Sequence, residues 1–106
     1  MAKFQLAQGE QLVGNGMMAY EVRKFPARRT RGNLYVTSKR VCYYESMTNY
    51  VYMDLPLAEI AGYSVKKMLF TFVQIHDREG KVYTYSGFSA KKLQGWLDQV
   101  GVQRLD

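Results

Sequence analysis

The chain carries only one cysteine, one histidine, one tryptophan and two prolines. A lone cysteine, Cys42, excludes an intrachain disulfide, so nothing requires an oxidising compartment. Cys42 reads as a small apolar filler in a strand, with a reactive thiol as the competing reading. One Cys and one His cannot by themselves make the usual four-ligand zinc site. The histidine, His76, falls near a turn, where a solvated or edge role fits better than general-base work. A Cys42–His76 pairing has no signature behind it. The nine acidic residues are scattered, with no paired motif for acid–base chemistry. Gly14 and Gly16 sit in an apolar strand pattern without a following helix, so they do not form a phosphate-cradling loop. An enzyme is therefore not expected, and no cofactor or metal is implied.

Long apolar runs are also missing. None approaches the ~20 residues that span a bilayer. The opening MAKFQLAQGEQ has neither an apolar h-region nor a cleavage-site pattern. The expected location is cytoplasmic, with peripheral association at the inner membrane face if the basic segment described below binds lipid.

What the chain does have is aromatic side chains and positive charge. Its 106 residues fit one domain, 1–106, with a single core. Nine Tyr and five Phe favour half-buried pleated surfaces over helices. The formal charge is +6 and the pI near 9.5, which points to anionic partners in general. Seven of the fifteen basic residues fall between Glu21 and Arg40: Arg23, Lys24, Arg28, Arg29, Arg31, Lys39 and Arg40. Glu21 is the sole acid there.

Period-two alternation recurs along the chain, with turn residues between the runs. Gln11–Tyr20 reads as a first strand, where Gly14 and Gly16 mark a bulge or a close backbone approach. Glu21–Gly32 reads as a loop punctuated by Pro26 and Gly32. Leu34–Thr37 and Arg40–Tyr44 form a hairpin about Ser38-Lys39. In Asn49–Leu55, Val51, Met53 and Leu55 share one face and Tyr50, Tyr52 and Asp54 the other. Leu57–Ala61 reads as a short connection with room for one helical turn. Tyr63–Met68 and Phe70–Asp77 are two further strands; both faces of the second carry apolar residues, leaving its inner side open. Asp77 to Gly80 is a turn with Gly80 left-handed, and Val82–Ser86 is the last strand. The period then becomes helical. Leu93, Trp96, Leu97 and Val100 make one stripe, with Ser89 as N-cap, Phe88 and Leu93 as a hydrophobic staple and Gly101 just past the end. Trp96 on that stripe reads as core.

The basic segment is the one constellation with functional chemistry. Arg23, Lys24, Arg28, Arg29 and Arg31 surround Phe25-Pro26. Guanidinium and ammonium groups bind phosphate oxygens, and an exposed aromatic among them suits a membrane interface. A solvated loop with Phe25 folded onto the core is the plainer reading. Lys66 and Lys67 are additional basic contacts if the fold brings them beside that loop. Outward tyrosines (Tyr50, Tyr52 and Tyr35) fit base stacking on single-stranded nucleic acid, or ordinary cross-strand packing.

The order of these elements resembles the pleckstrin-homology (PH) superfold, in its GRAM and bacterial PH-like branch. The resemblance rests on Gly9-Glu10-Gln11-Leu12-Val13, on Gly32-Asn33-Leu34-Tyr35-Val36-Thr37-Ser38-Lys39-Arg40-Val41 and on Leu55-Pro56-Leu57-Ala58-Glu59-Ile60. Asp77, Gly80-Lys81-Val82-Tyr83 and the Phe88-to-Val100 helix complete it. It implies a mainly β, PH-like barrel of about seven antiparallel strands capped by one C-terminal helix. It also implies a binding module whose partners are an anionic phospholipid surface or a protein, with homo-oligomers among bacterial members. The family's lipid pocket often lies by the loop between the first two strands, here the loop carrying Arg23 to Arg31. The phosphoinositide-type run of basic residues within the first strand is absent, because Gln11–Tyr20 has no Lys or Arg.

Overall fold

Alternation sets the inner face of each strand. Leu34, Val36, Val41, Tyr43, Val73, Ile75 and Tyr85 are fully buried in the computed structural model, which describes residues 4–106. The elements are β1 (Leu12–Lys24), β2 (Ala27–Thr37), β3 (Arg40–Glu45), β4 (Val51–Pro56), a 3-10 turn (Leu57–Glu59), β5 (Ile60–Lys67), β6 (Thr71–Asp77), β7 (Val82–Ser86) and α1 (Ala90–Gln99). All strand pairs are antiparallel, in the order β4-β3-β2-β1-β7-β6-β5.

This sheet curls on itself. The Tyr85 hydroxyl on β7 lies 3.3 Å from Met53 Sδ on β4, although three strands separate β7 from β4. The enclosed space is filled largely by phenol rings. Tyr20 stands 5.1–6.3 Å, centroid to centroid, from Tyr43, Tyr52, Tyr83 and Tyr85. Offset and tilted rings at such separations attract beyond their simple burial. Tyr43 satisfies its hydroxyl by donating to the Met18 carbonyl at 3.0 Å.

The helix closes the curl by packing on β1 and β6. Leu93 and Leu97 are buried, and Trp96 packs against the core. Gly14 makes room for Trp96: a Cβ there would lie 2.2 Å from the indole Cε2. A register shift between Leu12 and Gly14 accompanies this approach, so the bulge falls beside Gly14, while Gly16 is in regular register and what comes close to the pair is side chain, Trp96 and Ser89. Gly14→Ala is expected to push the indole towards water, shifting the emission of this sole tryptophan to the red and costing about 1–3 kcal/mol. Unchanged emission would contradict this packing.

Both ends of the sheet are managed. Along β5, Tyr63 donates its N–H to the Gln103 carbonyl (3.0 Å) and accepts from Leu105 N–H (2.7 Å), so the C-terminal residues cover that edge. The β4 edge is six residues long, turns Asp54 outward and ends at Pro56, devices that discourage edge-to-edge pairing.

Several expectations need correction. The Glu21–Gly32 segment is not a loop: β1 and β2 continue through it to a two-residue turn at Phe25-Pro26, whose connecting peptide is cis. Pro26 sits in the turn itself, so it interrupts no ladder. Tyr52 does not face outward. It is the extra residue of a β-bulge, since Tyr43 pairs with Met53 and Tyr44 with Val51, and it packs beside Met53 against Tyr20. Tyr35 does face outward but is stacked under Phe4, with ring centroids 3.9 Å apart. Met68 and Phe70 belong to a turn rather than to strands. Phe88 is fully exposed and forms no staple, and Ser89 precedes α1 without a side-chain cap. The Gly80 and Gly101 positions, both left-handed, are as expected.

Candidate functional site

The β1–β2 hairpin is much longer than its neighbours. Pairing with β3 stops at Gly32–Glu45, and pairing with β7 stops at Tyr20–Tyr85. Beyond those points, residues 21–31 form a two-stranded arm without a ladder partner on either side. Glu21 pairs with Arg29, Arg23 with Arg28 and Lys24 with Ala27, with a register shift between Glu21 and Arg23. Arg23 Nε donates to the Pro26 carbonyl at 3.2 Å and ties down the tip. Phe25 is 96% exposed there, and Arg23, Lys24, Arg28, Arg29 and Arg31 are all exposed. Among the described residues none of these five cations is in an ion pair.

Strand alternation distributes the charges. Arg29 and Arg31 share one face of β2, whereas Arg28 points to the other. Arg28 lines an open groove of about 760 Å3 between the arm and the β3–β4 turn, together with Val22, Glu45, Tyr50 and Tyr52. Glu45 lines the same groove, so the groove does not concentrate positive charge. Lys66 is not beside the arm. It lies in the cross-strand row Lys66–Phe72–Ser86–Ala19–Arg31, four strand spacings or roughly 19 Å from Arg31 along the sheet.

The strongest electrostatic feature lies at the base of the fold. Arg40 Nε meets buried Glu10 Oε2 at 2.8 Å, and Arg40 Nη2 meets Oε1 at 3.2 Å. The Thr37 hydroxyl and the Ala7 amide also donate to this carboxylate. Arg40, then Thr37 and Ala7, hold the Glu10 carboxyl down to about 2 against the opposing effect of burial. Thr37 Oγ1 also accepts from the Lys39 and Arg40 amides, which closes the Ser38-Lys39 turn. This knot is structural: it clamps the segment before β1 onto the β2–β3 hairpin. Cys42 next to it is fully buried, and burial pushes its thiol up to about 12, so it is packed and unreactive. His76 is half-buried, with Nε2 2.8 Å from Ser64 Oγ.

The GRAM domain family profile matches residues 1–86, a span containing the Glu10–Arg40 knot, the arm and all seven strands. The chain belongs to the GRAM domain family. No curated protein matches it. Among solved structures, the C-terminal domain of an unknown protein from Leishmania infantum is similar at a TM-score of 0.70 and 13% identity, covering 88% of this chain and 86% of that one. The hSac2 domain from human phosphoinositide phosphatase Sac2 aligns at 0.63 and 15% identity, over 90% of this GRAM chain and 70% of the other. The Slm1 PH domain in complex with inositol-4-phosphate aligns at 0.60 and 14% identity, over 85% and 93%. These likenesses establish the PH-like fold. No helix among the described residues of the GRAM chain is long and apolar enough to cross a membrane.

Sequence reading gave no functional part to one set of exposed residues, placing Met68 and Phe70 at strand ends and Phe88 in a staple and leaving Leu69 unassigned. The run Lys66-Lys67-Met68-Leu69-Phe70 carried the signal, three apolar residues between a lysine pair and Thr71 where alternation breaks.

Proposed function

We propose that this GRAM-family chain is a non-catalytic binding module that attaches peripherally to anionic membrane surfaces through the β1–β2 arm. Arg23, Lys24, Arg28, Arg29 and Arg31 supply the attraction, and Phe25 supplies apolar contact at the interface. The observation that carries this reading is Phe25 standing exposed at the arm's tip among cations that form no ion pair among the described residues. The likeness to the Slm1 PH domain solved with inositol-4-phosphate supports an anionic headgroup as the ligand class. Near an anionic leaflet each cation contributes about 1 kcal/mol, screened within a Debye length. With Glu45 in the groove beside Arg28, the reading is attachment to a charged surface rather than recognition of one headgroup.

Sedimentation with phosphatidylserine-containing and pure phosphatidylcholine vesicles tests it. Binding is expected only to the former and weakens with salt. Arg28→Glu with Arg29→Glu should lower the affinity roughly tenfold or more. Equal sedimentation with both vesicle types, or an unaffected double variant, would refute the arm's role. A protein contact or self-assembly through an open sheet edge or the outward tyrosine face, the rival reading, has the short β4 edge, the unpaired edges of the arm and Tyr50 to use. Nucleic-acid stacking is left with Tyr50 alone of its three tyrosines, Tyr52 being packed and Tyr35 covered.

A further inference from the structure

A second surface has the same chemistry as the arm and lies away from the arm's tip. The Lys67–Thr71 pair ends the β5–β6 ladder, leaving Met68, Leu69 and Phe70 as a three-residue turn closed by Met68 N–H donating to the Phe70 carbonyl at 3.0 Å. Leu69 is 95% exposed, and Met68 and Phe70 are mostly exposed as well. Phe88, at the bend between β7 and α1, is entirely exposed. It shares a surface hollow with Leu69, Phe70 and Lys91, and another with Met17 and Arg31. The apolar residues thus form one ridge from the β5–β6 tip across to β1.

Charge around the β5–β6 tip and Phe88 has one sign in the sequence; Glu45 borders only the far end of the ridge, at Met17. No acid occurs between Glu59 and Asp77 or between Glu79 and Asp98, while the same stretches hold Lys66, Lys67, Lys81, Lys91 and Lys92. The Asp106 carboxylate reaches the Val65 amide on β5, but it is paired with Arg104 at 3.1 Å. A convex tip of three apolar residues fits a deformable lipid interface better than the flat, packed core of a protein contact. Flanking lysines can lay their methylene stems along buried apolar groups and keep their ammonium heads at the phosphates. A second copy of the chain, itself carrying +6, would bring like charge to these lysines.

We propose that Met68, Leu69, Phe70 and Phe88 insert into the headgroup–acyl boundary of an anionic bilayer, with Lys66, Lys67, Lys91 and Lys92 on the surrounding phosphates. This rests on the membrane reading of the chain but not on the arm being the contact. It gives Lys66 and Lys67 a role at their own site, away from the arm's tip at Arg23 to Arg29, with Arg31 at the border between the two surfaces.

Leu69→Cys labelled with a polarity-sensitive fluorophore tests the insertion. Labelling is selective because the native Cys42 thiol is buried. On phosphatidylserine-containing vesicles the emission should shift to the blue and rise severalfold. Leu69→Glu with Phe70→Glu, both on an exposed turn, should leave circular dichroism intact and weaken vesicle affinity roughly tenfold or more. Wild-type sedimentation with the label still reporting water, or an unweakened Glu variant, overturns the insertion while leaving the arm reading intact. Wild type that ignores anionic vesicles altogether overturns the membrane reading and this inference with it. Concentration-dependent self-association that the Glu variant abolishes also overturns it, by making the tip a contact between copies.

Discussion

Arg40→Met is expected to lower folding stability by about 3–5 kcal/mol, because it leaves the buried Glu10 carboxylate without its charged partner. That is a large share of the roughly 5–15 kcal/mol by which domains of this kind are stable. The pair also sets the acid limit. The Glu10 carboxyl sits at about 2 when folded, against an ordinary value of 4.5. Its folded pKa is the lower one, so its contribution is complete above pH 4.5 and disappears as pH falls towards 2. Urea titrations at a series of pH values should show this slope in the wild type and its near absence in Glu10→Gln. An equal acid slope in both proteins would mean that other carboxylates govern acid unfolding.

Gly32→Ala is expected to cost about 3 kcal/mol, the upper end for overpacking, and to lower Tm by roughly 12–24 °C. A Cβ at Gly32 would lie 2.2 Å from the Tyr44 carbonyl oxygen and 2.9 Å from Glu45 Cα. These are backbone atoms, so β3 itself would have to move away from β2. Thermal unfolding followed by circular dichroism measures the loss. A shift of only a few degrees would mean that β3 yields more easily than a paired strand should.

Gly32 also shows where sequence reading succeeds and where it stops. It was readable as punctuation, and its motif with Thr37 and Arg40 pointed to the family. Its physical reason, close approach of β3, is non-local and left no periodic trace. The same division holds elsewhere. Leu34 and Val36, or Leu93 and Leu97, declare their faces through spacing, because one side of each element must meet the core. The arm was misread because Arg and Lys fit a solvated strand as well as a loop, and because a proline in a hairpin turn looks like one that breaks a strand. Tyr52 was misassigned because a bulge shifts the alternation by one, and a bulge is set by the partner strand. The exposed tip at Met68 to Phe70 ran against expectation for a simpler reason. Apolar residues normally signal burial, and nothing local distinguishes three that stay outside.

The separation of Trp96 from the tyrosine cluster gives the molecule two optical channels. Five tyrosine rings (Tyr20, Tyr43, Tyr52, Tyr83 and Tyr85) crowd the interior of the curled sheet, while the single indole lies between α1 and Gly14. Near-ultraviolet dichroism from the phenols therefore tracks the barrel, and indole-selective fluorescence tracks the docking of the helix. If the two curves part during denaturation, the cap lifts before the barrel opens; if they coincide, cap and barrel are one cooperative unit.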